Sequence, residues 1–368
     1  MKLNLTVLDR TNLKIKSVGE SYAWEINKDY LTNEKSSFSS TTRMDMSIGD
    51  FLIAKFDMNM YQETAGTQDS IRPIFIGVIE SEEIDNSYKI NCRDLYNLID
   101  FDIPTTRQSG TNVQQHMKNL LNLHLLGDPT KALVGIDVNI VGNPISWIYQ
   151  PNDPPAVSNF LDYFVNIFKK YEVFWEPVDL YYDSSNHIHM RTEIKRNLNI
   201  INLKNNTVDF ANWSVYYMPG NVDKPNKLMI YDKHSTENME SPVLLSVWYM
   251  RRDGNLTQNP NDNVFFPTRN IVDFYDGQAS NPPTFLEMAQ SKLAGSQYSH
   301  EIEFDVNLDS KLIYVPNLKI GTKANIVFTN DLYSSILTGY KLTAASKWVS
   351  LHFGNIRSNL QTALNALK

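Results

Sequence analysis

The sequence predicts an α+β fold that is mainly antiparallel β, in which two related β-barrel modules have α+β modules inserted between them. Two observations indicate this architecture. Short segments rich in β-branched and aromatic residues lie towards both ends of the chain, with helical patterns between them. The order of elements at the start also recurs near the end. Because single cores stop growing beyond roughly 250 to 300 residues, a chain of 368 residues is expected to form several modules.

Residues 1–105 are predicted to form the first barrel. Its strands are rich in apolar residues and are bounded by turn residues: Asn4–Leu8, Tyr22–Ile26, Phe51–Phe56, Ile74–Ile79 and Tyr88–Cys92. A polar stretch from Asp57 to Pro73 separates the third strand from the fourth. Loops of this length usually make functional contacts or are disordered, so it is a candidate contact segment.

Residues 106–205 are predicted to form an α+β module. Thr111 and Gln114 have capping-box spacing before a helix that ends at Gly127 and Pro129. A second helix is expected from Asp153 and Pro154 to Tyr171, because apolar residues recur there every three or four positions. Strands at Glu172–Pro177 and His187–Ile194 follow, joined by a turn.

Residues 206–352 are predicted to form the second barrel, with an inserted helix-containing segment at about 251–299. A Thr284/Glu287 capping box and Gly295 bound the inserted helix. The strands expected in this region are Trp213–Met218, Lys227–Tyr231, Val243–Met250, Glu301–Val306, Ala324–Thr329, Ser335–Leu342 and Trp348–Phe353. Residues 353–368 are predicted to form a C-terminal amphipathic helix through Ile356, Leu360, Ala363, Leu364 and Leu367.

The two ends of the chain share an internal echo. Ile48-Gly49 and Ile320-Gly321 each precede an apolar strand, and glycine permits the turn that leads into it. Gly77 and Gly339 then fall within the following strands. We therefore predict that residues near 48–95 and 320–360 are equivalent by duplication, with Gly49 matching Gly321, Gly77 matching Gly339, and Asp57 to Pro73 inserted in the first copy only.

One constellation resembles the zinc site of peptidoglycan endopeptidases, namely His124 and Asp128 followed by His187 and His189. Against a metal site, His124 lies on the apolar side of a predicted helix. His187 and His189 alternate with Ile188, as on the wet face of a strand. We predict no catalytic, cofactor-binding or metal-binding residues, and a cell-wall hydrolase using His124, Asp128 and His189 is the alternative.

Other chemical candidates have simpler structural interpretations. The carboxylates Glu80, Glu82, Glu83, Glu301 and Glu303 are predicted to be strand charges on a wet face rather than a glycosidase pair. The aromatic residues favour cross-strand packing over sugar stacking: Trp213, Tyr216, Tyr217, Trp248 and Tyr249. Cys92, the single cysteine, is predicted to be buried in a strand.

Composition disfavours two classes of partner. The net charge is −7, from 34 Lys and Arg against 41 Asp and Glu, without a basic run to follow a phosphate backbone. Specific nucleic-acid binding is therefore not expected. The start of the chain lacks the pattern of a signal peptide, and the longest apolar run, Val243 to Met250, is too short to cross a bilayer. We expect synthesis in the cytoplasm and no membrane anchor.

Four segments carry a resemblance to a known family: IGDFLIAKF, FIGVIES and YKINCRDLYNLID near the start, and LKIGTKANIVFTNDLYSSILTGYKLTAASKWVSLHFGNIRSNLQTAL at the end. Together they resemble the tail hub proteins of tailed bacteriophages, which in some phages are the N-terminal parts of tail-associated lysins. The resemblance follows the order of elements over essentially the whole chain.

This resemblance implies a structural protein of the virion baseplate and not an enzyme. It implies a homotrimer, with two barrels per subunit, that forms a ring beneath the tail tube and closes or gates the DNA channel. The implied partners are the distal tail protein, the tape measure protein and the receptor-binding proteins of the baseplate. A hub of a bacterial contractile injection system is a further alternative of similar fold.

Overall fold

A twelve-stranded sheet system dominates the computed structural model. The structure describes residues 1–30, 34–56, 73–85, 87–104, 110–128, 130–131, 133–147, 157–204, 209–217, 225–236, 241–251, 254–264, 269–295, 298, 300–310, 318–329 and 331–354. Three smaller sheets and three α-helices accompany the large sheet within these residues. The predicted fold class, α+β with mainly antiparallel strands, is confirmed.

The first barrel is closed by six antiparallel strands: β1 (Leu3–Leu8), β2 (Ile15–Asp29), β3 (Lys35–Ser40), β4 (Phe51–Phe56), β5 (Phe75–Ile84) and β6 (Tyr88–Asp94). The ring runs β1-β2-β3-β6-β5-β4 and returns to β1. A 3₁₀ turn, Leu95–Ile99, follows β6, and four of its five side chains are buried. Cys92 is buried in β6, as predicted.

Strand β3 is the one element of this barrel that sequence analysis missed. Its sequence, KSSFSS, contains a single large apolar residue, so no hydrophobic strand pattern is visible. Ser36, Phe38 and Ser40 nevertheless face the interior in strict alternation. The Ser36 hydroxyl accepts a hydrogen bond from the Asn27 amide at 3.0 Å, which lets a polar side chain be buried there.

The α+β module contains two α-helices and a three-stranded sheet: β7 (Asp102–Pro104), α1 (Val113–Leu121), β8 (Ile136–Ile140), β9 (Val157–Asn159), α2 (Phe160–Tyr171), β10 (Val173–Tyr182) and β11 (Ile188–Arg196). The sheet order is β10-β11-β8, with β8 parallel to β11. Strands β7 and β9 pair separately. Helix α1 continues through a π-helical turn, Asn122–Leu126, and stops at Gly127.

Both predicted helix starts in this module are wrong. Helix α1 is capped by Asn112, whose side chain accepts from the Gln115 amide, and not by Thr111. The side chain of Gln114 is instead buried and bonds the Asn143 and Ile145 backbone. Helix α2 begins at Phe160 behind the Asn159 cap, because the chain before it is strand β9. Asp153 and Pro154 lie outside the described residues.

The second barrel is built from six strands: β12 (Ile200–Lys204), β13 (Phe210–Tyr217), β18 (His300–Asn307), β19 (Lys323–Phe328), β20 (Asp331–Thr343) and β21 (Trp348–Gly354). Five of them continue antiparallel from β19 through β20, β21 and β18 to β13. The sixth, β12, pairs with β19 in parallel, whereas β1 pairs with β4 antiparallel. The two barrels therefore differ in the direction of one strand.

Between β13 and β18 the chain forms a separate module: β14 (Lys227–Asp232), β15 (Leu244–Met250), β16 (Leu256–Thr257), β17 (Asn270–Tyr275) and α3 (Phe285–Leu293). Its sheet order is β16-β15-β14-β17, and it has its own small apolar core. Strands β14 and β15 were predicted as part of the second barrel, so the expected insertion boundary of 251 is wrong. The predicted Thr284/Glu287 capping box is confirmed.

The backbone confirms the equivalence of Gly49 and Gly321. Both have positive φ, +95° and +82°. The Gly49 amide donates to the Ile79 carbonyl at 2.9 Å, and the Gly321 amide donates to the Leu337 carbonyl at 2.8 Å. The amides of Ile79 and Leu337 each donate back to the residue after the glycine, at 2.8 Å in both cases. Ile79 therefore corresponds to Leu337.

The predicted match of Gly77 with Gly339 is wrong. Since Ile79 corresponds to Leu337, Gly77 corresponds to Ser335 and Gly339 to Ser81. The register is irregular between Ile79 and Ser81 and again between Leu337 and Gly339, so the β-bulge is repeated although the glycine is not. Direct cross-strand pairs then run in the same order in both barrels: Ser81, Asn91, Ser37 and Glu25 in the first, and Gly339, His352, Glu303 and Ser214 in the second.

By this correspondence Trp24 of the first barrel is equivalent to Trp213 of the second, and Phe56 is equivalent to Phe328. The rings of Trp24 and Phe56 are in contact at 6.2 Å between centroids, and those of Trp213 and Phe328 at 5.1 Å. Each Trp thus contacts the last residue of the equivalent strand. The two barrels share backbone register and one aromatic contact, as duplication predicts.

Residues 355–368, the predicted C-terminal helix, and most of the Asp57 to Pro73 stretch lie outside the described residues. Phe353 and Gly354, the first two residues of the range 353–368 predicted as helix, belong to strand β21 instead. Within the described part of the chain, no helix is long and apolar enough to cross a membrane.

Candidate functional site

The two barrels are fused into one sheet by β2 and β20. The C-terminal part of β2 pairs antiparallel with the C-terminal part of β20, from Glu25 opposite Thr343 to Asp29 opposite Gly339. A continuous path of eight strands therefore runs β5-β6-β3-β2-β20-β21-β18-β13. Its two faces differ in chemistry, because successive side chains of a strand point to opposite sides.

One face of this eight-strand path supplies the cores of both barrels. Its side chains are buried and predominantly apolar: Ile26, Phe38, Ile90, Cys92, Leu342, Leu351, Phe353, Ile302 and Phe304. Most buried apolar residues outside the inserted module belong to one continuous cluster, so the two barrels and the α+β module share a core. This sharing fixes the barrels relative to each other.

The other face, which we call the polar face, is followed from strand to strand by direct cross-strand pairs. Its residues are Ser81, Glu83, Lys89, Asn91, Arg93, Lys35, Ser37, Ser39, Glu25, Asn27, Asp29, Gly339, Lys341, Thr343, Ser350, His352, Gly354, Glu301, Glu303, Asp305, Ala211, Ser214 and Tyr216. Six are carboxylates and four are Lys or Arg. Tyr216 is a large side chain with apolar character among them, and the pairs Asn307–Trp348 and Val78–Arg93 extend the same face with two more, of which Val78 is buried.

Charges on the polar face are compensated across strands. Lys341 pairs with Glu25 at 2.9 Å between Nζ and Oε1, across the junction of the two barrels. His352 lies 2.9 Å from Glu303, and the Ser350 hydroxyl donates to Asp305 at 2.5 Å. The face therefore presents hydrogen-bonded polar groups rather than an apolar patch that a folded partner would cover.

The bulge in β5 adds a further cross-strand pairing. Glu80, the extra residue, reaches Lys35 at 2.9 Å and Arg93 at 3.0 Å. Partial burial opposes ionisation of Glu80, but the hydrogen bonds from these two cations outweigh it and lower its pKa. The bulge thus directs the Glu80 carboxylate towards both Lys35 on β3 and Arg93 on β6, where it compensates two neighbouring positive charges.

Beneath the junction lies a buried ion pair. Lys28 Nζ is 3.1 Å from the Asp94 carboxylate, and both side chains are almost fully buried. Burial opposes the charged form of Lys28, but the attraction of Asp94 is stronger and the pKa of Lys28 is raised. A small cavity of about 30 Å³ adjoins Lys28 and is also lined by Glu176 and Tyr340. At this volume it is a packing defect between modules rather than a ligand pocket.

A second buried carboxylate connects the modules. Glu172 follows α2 with φ +58° and receives ion pairs from Arg196 of β11 and Lys323 of β19, the latter at 2.8 Å. The Tyr298 hydroxyl donates to the same carboxylate at 2.5 Å. Burial favours the neutral acid, but these partners outweigh it and lower the pKa of Glu172. The α+β module is thereby linked to the second barrel.

The candidate zinc residues contact different neighbours, although His187, at 3.6 Å, and His189 share Asp183. His124 lies in the π-helical turn against the Phe160 ring, and burial lowers its pKa. The Asp128 carboxylate accepts hydrogen bonds from the amide and the hydroxyl of Thr130. His189 lies between Asp137 at 3.1 Å and Asp183 at 3.4 Å. In the described part of the chain, no group of three His, Cys, Asp or Glu side chains is placed to hold a metal ion.

The remaining candidates occupy structural positions. Glu301 and Glu303 lie on the polar face, and Glu80 and Glu83 form ion pairs with their neighbours. Trp213 stacks on Phe304 at 4.1 Å between centroids, which is core packing. Trp248 packs against the core of the inserted module, and the Tyr249 ring is 5.7 Å from the Lys227 ammonium. Tyr216 is 57% exposed on β13.

Solved structures share this fold. A chain of the phage P2 baseplate in its activated conformation matches with a TM-score of 0.52 and 15% sequence identity, covering 97% of this chain and 100% of that chain. A chain of a p2 virion baseplate topological model gives 0.52 and 14%, with the same coverage. The tail protein from Neisseria meningitidis MC58 gives 0.50 and 12%, covering 96% of each chain.

No family model and no curated protein sequence matches the chain. The similarity to phage tail and baseplate proteins therefore lies in the fold, over nearly the whole length of both chains. At this level it confirms the resemblance drawn from the sequence. The polar face was not predicted, because its recognition needs the strand register and the unrecognised strand β3.

Proposed function

We propose that this protein is a structural hub of a phage tail tip, which forms a trimeric ring around the tail channel and belongs to the virion. The observation that carries the proposal is the eight-strand path of two fused barrels, apolar on the core side and polar on the other. The shared fold of phage baseplate and tail chains supports it.

Duplication of the barrel supports the trimer. Two equivalent barrels in each of three subunits present six similar units, which suits an adaptor to a six-fold tail tube and its distal tail protein. The tape measure protein and receptor-binding proteins are the further partners that we propose. Six-fold matching from three chains needs barrels in a fixed relation, and the shared core provides it.

The polar face is the proposed wall of the channel. Its six carboxylates exceed its four Lys and Arg side chains, and several are paired with each other. Such a surface lacks a basic track that would hold the DNA phosphates, so DNA passes without binding. We further propose that the protein has no hydrolase activity of its own, because His124, Asp128 and His189 each have a different structural partner.

The test is the mass and shape of the purified full chain, alone and with the distal tail protein of the same phage. We expect a trimer by mass photometry and a three-fold ring with a central opening by electron microscopy. A monomer under both conditions contradicts the proposal. We expect no cleared band on a peptidoglycan zymogram. Clearing by the wild type that disappears in His189→Ala contradicts the structural role.

A further inference from the structure

The second barrel and the first barrel each leave one strand edge open. Residues Ser81 to Ile84 of β5 pair with β6 on one side, and on the other side no strand of the described chain pairs with them. Strand β13 pairs with β18 alone within the same residues. Exposed backbone edges of this kind are templates for pairing with another strand.

The internal duplication indicates what each open edge pairs with. In the equivalent position of β20, the segment Gly339 to Thr343 pairs with Glu25 to Asp29 of β2. The β5 counterpart of that β20 segment starts at Ser81. The β13 counterpart of the β2 segment starts at Ser214. Strands β20 and β2 thus pair within one chain. The equivalent segments of β5 and β13 lie at opposite ends of the eight-strand path, and among the described residues each has one edge without a partner strand.

We propose that β5 of one copy and β13 of a second copy pair antiparallel, in the register that β20 and β2 show within the chain. The inference rests on the proposed ring and names its interface. Transferring the register places Ile84 opposite Val215 and Glu83 opposite Tyr216. Because the contact joins two different surfaces, repetition around an axis extends the polar face from copy to copy and closes a ring.

Side chains at the two edges fit this pairing. Ile26 and Leu342, the internal counterparts of Val215 and Ile84, are directly opposed and buried. Ile84 is 60% exposed although its counterpart Leu342 is only 1% exposed. Pairing with Val215 would bury it on the core side. Glu83 and Tyr216 then lie together on the polar face, as Lys341 and Asn27 do at the internal junction.

The experiment is disulfide cross-linking of the full chain carrying Glu83→Cys and Tyr216→Cys. Directly opposed residues of antiparallel strands have Cα atoms about 4.5 to 5.5 Å apart, which a disulfide spans. The native Cys92 is buried and does not compete. We expect oxidation to give linked dimers and trimers on a non-reducing gel, with no larger species because the ring is closed.

Two matched variants serve as controls. Asn27→Cys with Lys341→Cys occupies the internal counterpart positions and should form a disulfide within one chain, without a change in oligomer mass. Ile84→Cys with Tyr216→Cys is one residue out of register, so its side chains point to opposite faces and should not link. Ile84→Lys should raise the protein concentration needed for trimer formation at least tenfold. The circular dichroism spectrum of the monomer should remain unchanged.

The outcomes separate this interface from the proposed function. A trimer without a Glu83→Cys/Tyr216→Cys link, or with equal linking of the out-of-register pair, overturns the edge pairing but leaves the hub proposal in place. A protein that stays monomeric and unlinked, alone and with the distal tail protein, overturns both.

Discussion

Lys28 and Asp94 form an ion pair whose two members stabilise the junction only together. We expect Asp94→Asn to lower the free energy of unfolding by about 3 to 5 kcal/mol, because it leaves the Lys28 charge buried without its partner. The double change Lys28→Met with Asp94→Leu should bring stability back to within about 1 kcal/mol of the original, because well-packed apolar replacements of buried pairs are often neutral. Urea denaturation of both variants measures this. Equal loss in the single and double variants contradicts it.

Glu172 gives the protein a stability that depends on acid pH. Its pKa in the folded protein lies below the ordinary value of 4.5, so its contribution is fully present above pH 4.5 and is lost as the pH falls through the folded value. We expect Glu172→Gln to have a lower melting temperature than the wild type at pH 7. Its melting temperature should fall less than that of the wild type when the pH is lowered to about 3, below the usual carboxyl pKa values. If the melting temperatures of the two proteins fall by the same amount between these pH values, Glu172 does not have this role.

A surface carboxylate provides the matched control. Glu20 pairs with Lys2 at 2.7 Å but is 49% exposed, and exposed pairs contribute roughly 0 to 1 kcal/mol. Glu20→Gln is therefore expected to leave the neutral melting temperature almost unchanged. A loss as large as that of Glu172→Gln would show that the effect does not come from burial.

At the scale of strands, the two equivalent glycines differ in what surrounds them. A Cβ at Gly321 would lie 2.5 Å from Cε1 of the buried Phe174 ring, whereas one at Gly49 would lie 3.2 Å from the flexible Arg10 guanidinium. Gly142 has φ +88° and no atom within 4 Å of its Cβ position. We expect Gly142→Ala and Gly49→Ala to cost about 1 to 3 kcal/mol each from backbone strain alone, and Gly321→Ala to cost more. Unfolding midpoints that rank Gly49→Ala or Gly142→Ala below Gly321→Ala contradict this order.

Sequence patterns located most strands because half-buried antiparallel strands alternate apolar and polar residues, and β1, β4, β18 and β21 do so clearly or are continuously apolar. The same patterns missed β3, whose interior positions are two serines and one Phe. The strand order was also out of reach. Nothing local to β12 indicates that it pairs with β19 in parallel, since that pairing depends on a distant partner.

The duplication shows where residue identity misleads and register does not. Gly77 and Gly339 were matched because both are glycines inside strands, yet each faces a different obstacle. A Cβ at Gly77 would meet the Arg93 carbonyl at 2.3 Å, and one at Gly339 would meet the Lys28 carbonyl at 2.9 Å, across the β2 junction. Trp24 and Trp213 are equivalent, but their sequence separations from Phe56 and Phe328 differ, so only the strand register reveals the match.

Across the whole molecule, stability is divided between two unequal cores. Among the described residues, the barrels and the α+β module share one large apolar cluster, whereas the inserted module has a separate cluster of six buried apolar residues: Leu228, Ile230, Met250, Met288, Ala289 and Leu293. Val272 and Phe274 on β17 remain about half exposed. A unit with few buried contacts opens at lower free energy than the rest of the protein.

Amide hydrogen exchange should therefore resolve two classes of protection in the native protein. We expect the amides of β14 and β15 to exchange through opening of the inserted module, well before those of β5 and β18. Ile230→Ala, which removes about 2 to 5 kcal/mol from the small core, should accelerate exchange in β14, β15 and β17 and leave the barrel strands unchanged. Ile302→Ala in β18 is the matched control, because it lies in the large core and should raise exchange across both barrels. Uniform protection, or acceleration of the barrels by Ile230→Ala, would show that the inserted module unfolds only together with the whole protein.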